Sequence, residues 1–161
     1  MAESRIYKEI EDMYSNPPYG VTAGPIDDND IKHWEATIIG PEETDYKDGI
    51  FLLDIKIPDK YPYEPPICKF KTKILHPNID PDTGHICLTI LKPHIWNPSM
   101  NISNMLLTIM LLFHKPKFDD PWNSKATDLY NKSVREKSQE YSNEVKRWVR
   151  EYASRKSLSN K

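Results

Sequence analysis

Apolar positions recur along the chain with two different periods. Ile6, Ile10 and Met13 stand at i, i+4 and i+7, so residues 4–15 are predicted to form a helix with Arg5, Lys8, Glu9, Glu11 and Asp12 facing water. Asn16-Pro17-Pro18 stops it. The period then changes to two. Trp34, Ala36 and Ile38 alternate with polar neighbours, as do Phe51, Leu53, Ile55 and Ile57, which predicts consecutive strands over 21–23, 32–39 and 50–57. Lys47-Asp48-Gly49 is a hairpin-type turn between the last two. Pro62, Pro65 and Pro66 remove ladder donors from 61–66, which is expected to be an extended, aromatic-studded crossing into a fourth strand at Ile67–Phe70.

Residues 101–113 are apolar almost all round, and Pro116 ends that helix. Ile102, Leu106, Ile109, Met110 and Phe113 form one stripe expected to face the sheet. Asn104, Leu107 and Leu111 form another, which needs either a partner or cover from Trp148 and Tyr152. A short helix is expected over 123–131. Ser133-Val134-Arg135-Glu136 reads as a capping box opening a last helix, with Val134, Tyr141, Val145, Trp148, Val149 and Tyr152 on one side. The fold class is therefore α+β: an N-terminal helix, a four-stranded antiparallel meander, an extended segment, then central, short and C-terminal helices. Residues 1–153 make one domain, and 154–161 a polar, basic tail expected to be disordered.

Bulk properties narrow the function classes. A chain of 161 residues suits one domain with a real core. Twenty-two Lys and Arg against 24 Asp and Glu give a net charge of −2, which makes no electrostatic case for nucleic acid. No stretch nears the ~18 apolar residues of a membrane span. Two cysteines without a spacing pattern point to a reducing compartment, cytoplasmic or nuclear. A monomer is expected.

The candidate chemistry lies in residues 76–91. Pro77 fixes its own φ and restricts His76, so His76-Pro77-Asn78 is a rigid bend. Asp80-Pro81-Asp82-Thr83-Gly84 supplies a tight turn. In the run after it, Ile86, Leu88 and Ile90 take one face and Cys87 the other, turned toward solvent. Cys68, inside a strand, reads as a small buried hydrophobe. His76, His85 and His94 near Cys87 raise a cysteine-hydrolase reading, but local signatures of those enzymes are absent. Cys68, His76, His85 and Cys87 follow no closed-site zinc spacing, so no metal is expected.

The HPNI run, the turn ending in Gly84, Cys87 within ICLTIL and Trp96-Asn97-Pro98 soon after resemble the ubiquitin-conjugating enzymes. The resemblance covers about residues 3–153 and includes Asn16-Pro17-Pro18, Ala23-Gly24-Pro25, the run 33–41, Tyr61-Pro62-Tyr63-Glu64-Pro65-Pro66 and Phe118-Asp119-Asp120-Pro121. It implies that Cys87 takes ubiquitin as a thioester from an activating enzyme and passes it to a substrate lysine, with a ligase of RING or HECT type. It implies no cofactor on this chain, since ATP is used by the activating enzyme. Asn78 matches an asparagine credited with oxyanion stabilisation or with holding a loop; a turn asparagine bonding its own backbone is compatible with both. Asp120 matches the acid placed near the incoming amine, and the alternative for Asp119 and Asp120 is helix capping. His76, Pro77 and Thr89 belong to the motif. Arg5, Lys8, Pro62, Tyr63, Asn97 and Pro98 match the docking surface for ligase and activating enzyme, and Asn104, Leu107 and Leu111 the face that holds donor ubiquitin.

The chain departs from the family pattern at Leu75, at Thr89, where an acid is frequent, and around the Asp-Asp-Pro, where Lys117, Phe118 and Trp122 make a bulkier, more basic rim. Alternatives of another kind are a non-catalytic scaffold of the same fold that binds ubiquitin or a ligase, and a carrier of a ubiquitin-like modifier.

Overall fold

The computed structural model describes residues 2–119 and 121–160. Helix α1 (Ala2–Ser15) leads into four strands, β1 (Val21–Asp27), β2 (Asp30–Ile39), β3 (Ile50–Lys56) and β4 (Ile67–Phe70). They pair antiparallel in sequence order, the expected meander. Trp34, Ala36, Ile38, Phe51, Leu53 and Ile55 are all buried, as the alternation requires. Helices α2 (Ile102–His114), α3 (Ser124–Glu136), α4 (Glu140–Tyr152) and a short α5 (Arg155–Ser159) follow.

Helix α2 carries Phe113 into a ring cluster with Tyr46, Phe51 and Phe70, at centroid distances of 4.9, 5.1 and 6.2 Å. Its buried stripe is Ile102, Met105, Leu106, Ile109, Leu112 and Phe113. Met105 and Leu112 belong to it, and Met110, expected there, is only half-buried. Asn101 caps the helix by accepting the Asn104 N–H.

Several local expectations are corrected. Glu9 is buried, not water-facing, because it shares the Ile6 and Met13 face of α1 and finds partners there. Residues 61–66 are turned rather than extended: Tyr63 and Glu64 N–H both donate to the Lys60 carbonyl. The turn at Lys47-Asp48-Gly49 forms, with the Gly49 N–H donating to the Tyr46 carbonyl, but as the last part of a ten-residue loop, residues 40–49, between the antiparallel β2 and β3. The capping box at Ser133 does not form. Helix α3 runs through it to Glu136 and ends on left-handed Lys137, and the Ser133 hydroxyl instead accepts the Tyr141 N–H at the start of α4. Val134 is consequently exposed rather than aligned with Tyr141 and Val145. The tail expected to be disordered forms α5, capped by Ser154.

Candidate active site

Residues 76–88 are held between the sheet and the later helices by bonds that begin at the bend. His76 is fully buried. Its Nδ1 lies 3.0 Å from the Asn78 N–H and its Nε2 2.7 Å from the Leu112 carbonyl. A backbone N–H can only donate and a carbonyl only accept, so the ring is the neutral tautomer protonated at Nε2. Burial pushes its pKa down to about 4, against the opposing pull of the Leu112 carbonyl. Both nitrogens are committed, which closes His76 as a base.

A stability consequence follows. The unfolded chain takes up a proton at this histidine near pH 6.5, the folded one only near pH 4. The unfolded state binds more protons between those values, so stability rises with pH across that window. The stabilisation is present in full above about pH 6.5 and lost as pH falls through 4. Chemical denaturation is expected to show on the order of 3 kcal/mol of His76-dependent loss across the window. A His76→Gln variant should show a correspondingly flatter profile.

Asn78 is buried, and its side chain clamps the main chain of Lys117. Nδ2 donates to the Lys117 carbonyl at 2.5 Å and Oδ1 accepts the Lys117 N–H at 2.8 Å. The Asn78 carbonyl accepts the Cys87 N–H at 2.8 Å. One residue thus fastens the cysteine segment on its backbone side and the 115–119 loop on its side-chain side. The neighbouring Pro77 carbonyl accepts the N–H groups of both Trp122 and Asn123, each at 2.9 Å, and Asn123 caps α3.

The turn upstream of the cysteine depends on Gly84. Its φ is +75°, and a Cβ there would meet the Phe70 carbonyl oxygen at 1.9 Å. The Gly84 carbonyl in turn accepts the Phe70 N–H, anchoring the turn to β4. The Asp80 carboxylate accepts the Asp82 and Thr83 N–H groups and the Trp122 indole N–H, which hold its pKa below the usual carboxylate range. His85 and Ile86 make isolated bridges to Lys69 and Ile79. The extended run then ends at Leu88, because Thr89–Leu91 turn into a 3₁₀ helix. Cys87 is half-buried, and Thr89 exposed just beyond it. Cys68 is buried in β4, where desolvation and the nearby Asp54 push its thiol well above the ordinary range.

Asp120 lies outside the described residues. Asp119 is exposed, and Phe118 packs its ring on Tyr130 of α3 at 4.9 Å. Among the described residues no three His, Cys, Asp or Glu side chains are grouped so as to hold a metal ion.

The matched docking residues lie on α1 and on two loops that hydrogen bonds tie to it and to each other. Lys8, Tyr63 and Asn97 are exposed there, with Pro62 and Pro98 half-buried. The Trp96 indole donates to the Pro62 carbonyl at 2.7 Å, tying the two loops together. The Arg5 guanidinium donates to Pro98 and Met100 carbonyls and pairs with Glu9. Glu9 also accepts the Tyr61 hydroxyl and caps α2 through the Ile102 N–H. Composition and spacing did not single out Glu9; its signal is an acid flanked by Ile6 and Met13 on one helical face. On the far side of α2, Leu107 and Leu111 are 41% and 62% exposed beside exposed Asn104. Trp148 and Tyr152 pack on each other at 5.3 Å, and neither leucine is covered.

A family model described as ubiquitin-conjugating enzyme matches residues 5–149. Among solved structures, the chain is similar to the E2 domain of a Toxoplasma gondii ubiquitin conjugating enzyme. The two are 37% identical with a TM-score of 0.84, over 96% of this chain and all of that one.

Proposed function

The chain belongs to the ubiquitin-conjugating enzyme family, and from that premise we propose that it accepts ubiquitin as a thioester on Cys87 and transfers it to a substrate lysine. The observation that carries this reading is the contrast between its two cysteines. Cys68 is sealed in β4 with its thiol held protonated, while Cys87 is half-buried on a segment fastened through Asn78 and Gly84. Thioester exchange needs a thiol that a large donor can reach and a backbone that does not yield when it arrives. In the second step the lysine amine attacks the thioester carbonyl, the C–S bond breaks, and the thiol leaves as an isopeptide bond forms. Incubation with activating enzyme, ATP and ubiquitin tests the reading. A reductant-sensitive adduct is expected, and its absence would leave a binding scaffold as the function. Charging with a ubiquitin-like modifier instead would reassign the cargo.

Family membership carries ubiquitin, an activating enzyme and a ligase as partners in general terms. We assign their docking to Lys8, Pro62, Tyr63, Asn97 and Pro98, with Arg5 serving from beneath. Its guanidinium is committed to the loop carbonyls, so it shapes this surface as well as bordering it. The exposed stripe of Asn104, Leu107 and Leu111 is the proposed seat of the thioester-linked ubiquitin, whose orientation raises the chance of productive attack. A Leu107→Arg variant should fold and charge normally, because the side chain already meets solvent. Its discharge to lysine should slow about tenfold, the loss expected of a contact worth ~1.4 kcal/mol. Unfolding, or an equal loss in charging, would return Leu107 to the core.

A further inference from the structure

We infer that Trp122 is a specificity-determining residue for the acceptor, its indole forming an aromatic wall that selects a lysine side chain approaching Cys87. The inference rests on the acyl-transfer reading above.

Position comes first. The Cys87 N–H is bound to the Asn78 carbonyl and the Trp122 N–H to the adjacent Pro77 carbonyl. The two residues therefore hang from neighbouring peptide units of one rigid, buried bend. Orientation comes second. The indole N–H donates to Asp80 Oδ2 at 2.9 Å, and Asp80 is itself locked by the Asp82 and Thr83 N–H groups. His85, two residues before Cys87, meets the indole edge-on, with centroids 6.4 Å apart at 73°. The ring is thus fixed from two sides, yet it remains 54% exposed. It does not serve the core. It is an apolar, electron-rich surface facing solvent, held on the same bend that holds the proposed nucleophile.

Chemistry comes third. Such a face attracts a cation carried on an alkyl stem, and the Asp80 carboxylate at its edge adds the same preference. A lysine side chain offers both parts; a small uncharged amine offers neither.

The test compares two nucleophiles on the same ubiquitin thioester, L-lysine and hydroxylamine. Trp122→Ala should lower the lysine-to-hydroxylamine rate ratio about two- to fivefold, the range expected of an exposed cation–π contact. Trp122→Phe keeps an aromatic face and should restore most of the ratio. An unchanged ratio in Trp122→Ala, or equal falls with both nucleophiles, overturns the proposal, since a merely structural tryptophan would affect both alike. A wild-type protein that forms no thioester at all would remove the underlying reading, and this proposal with it.

Discussion

Cys87→Ala is expected to abolish the ubiquitin adduct entirely, while Cys68→Ala charges like the wild type. The prediction turns on where the sheet puts each sulfur. Cys68 pairs with Ile55 across β3 and β4 and lies in the core, where a thiolate would lose its hydration without gaining a cation. Cys87 sits just past the Ile79–Ile86 bridge, its own N–H still bound to the Asn78 carbonyl, and before the 3₁₀ helix begins; there it is half-buried. Cys87→Ser should still accept ubiquitin, as an oxyester that resists reductant and discharges more slowly, because an alkoxide is the poorer leaving group. Non-reducing gels of the charged variants read all three results. A Cys87→Ala protein that charged normally would end the carrier reading.

Asn78→Ala is expected to slow transfer from the charged enzyme to lysine about 10²-fold, the cost typical of misplacing a reacting group by about an ångström. Charging should be affected far less. The reason lies in the clamp. Both polar atoms of the Asn78 amide are engaged by the Lys117 main chain, and the loop they hold leads to Trp122 and the start of α3. Alanine leaves the Lys117 N–H and C=O without those partners, at a cost of about 1–3 kcal/mol, and the loop loosens. Hydrogen exchange at the Lys117 amide should therefore accelerate in step with the loss of transfer. If transfer fell while that exchange stayed slow, the amide would be acting directly on the oxyanion, and loop-holding would be the wrong account.

Both predictions concern residues that the sequence alone had singled out, but they draw on it differently. Cys87 was singled out by alternation and by the turn before it, but the alternation does not hold there: only His85 and Ile86 make bridges, Thr89–Leu91 turn into a 3₁₀ helix, and Ile86 is half-buried like Cys87. Asn78 was legible as a motif residue with two open roles. The loop-holding role depends on a partner 39 residues away, which no local pattern encodes. The helix α3 boundary shows the converse. Ser133 and Glu136 satisfy a capping-box spacing, yet Ser133 caps the next helix from inside the previous one, since packing of α3 on α4 offers its hydroxyl the Tyr141 N–H.

By itself the sequence determined the meander, the buried faces of β2 and β3, the bend at Pro77, the turn closed by Gly84 and the burial of Cys68. All of these follow from periodicity, proline and glycine, whose constraints act within a few residues. Tertiary structure alone decided which partners Glu9 finds, that Leu107 and Leu111 stay exposed, and that the Trp122 indole is pinned to Asp80. Glu9 reaches the Ile102 N–H across 93 residues and Asp80 reaches Trp122 across 42. A carboxylate's environment, like an indole's exposure, is fixed by whichever distant groups the fold delivers to it, and only assembly of the sheet and helices brings those groups within hydrogen-bonding distance.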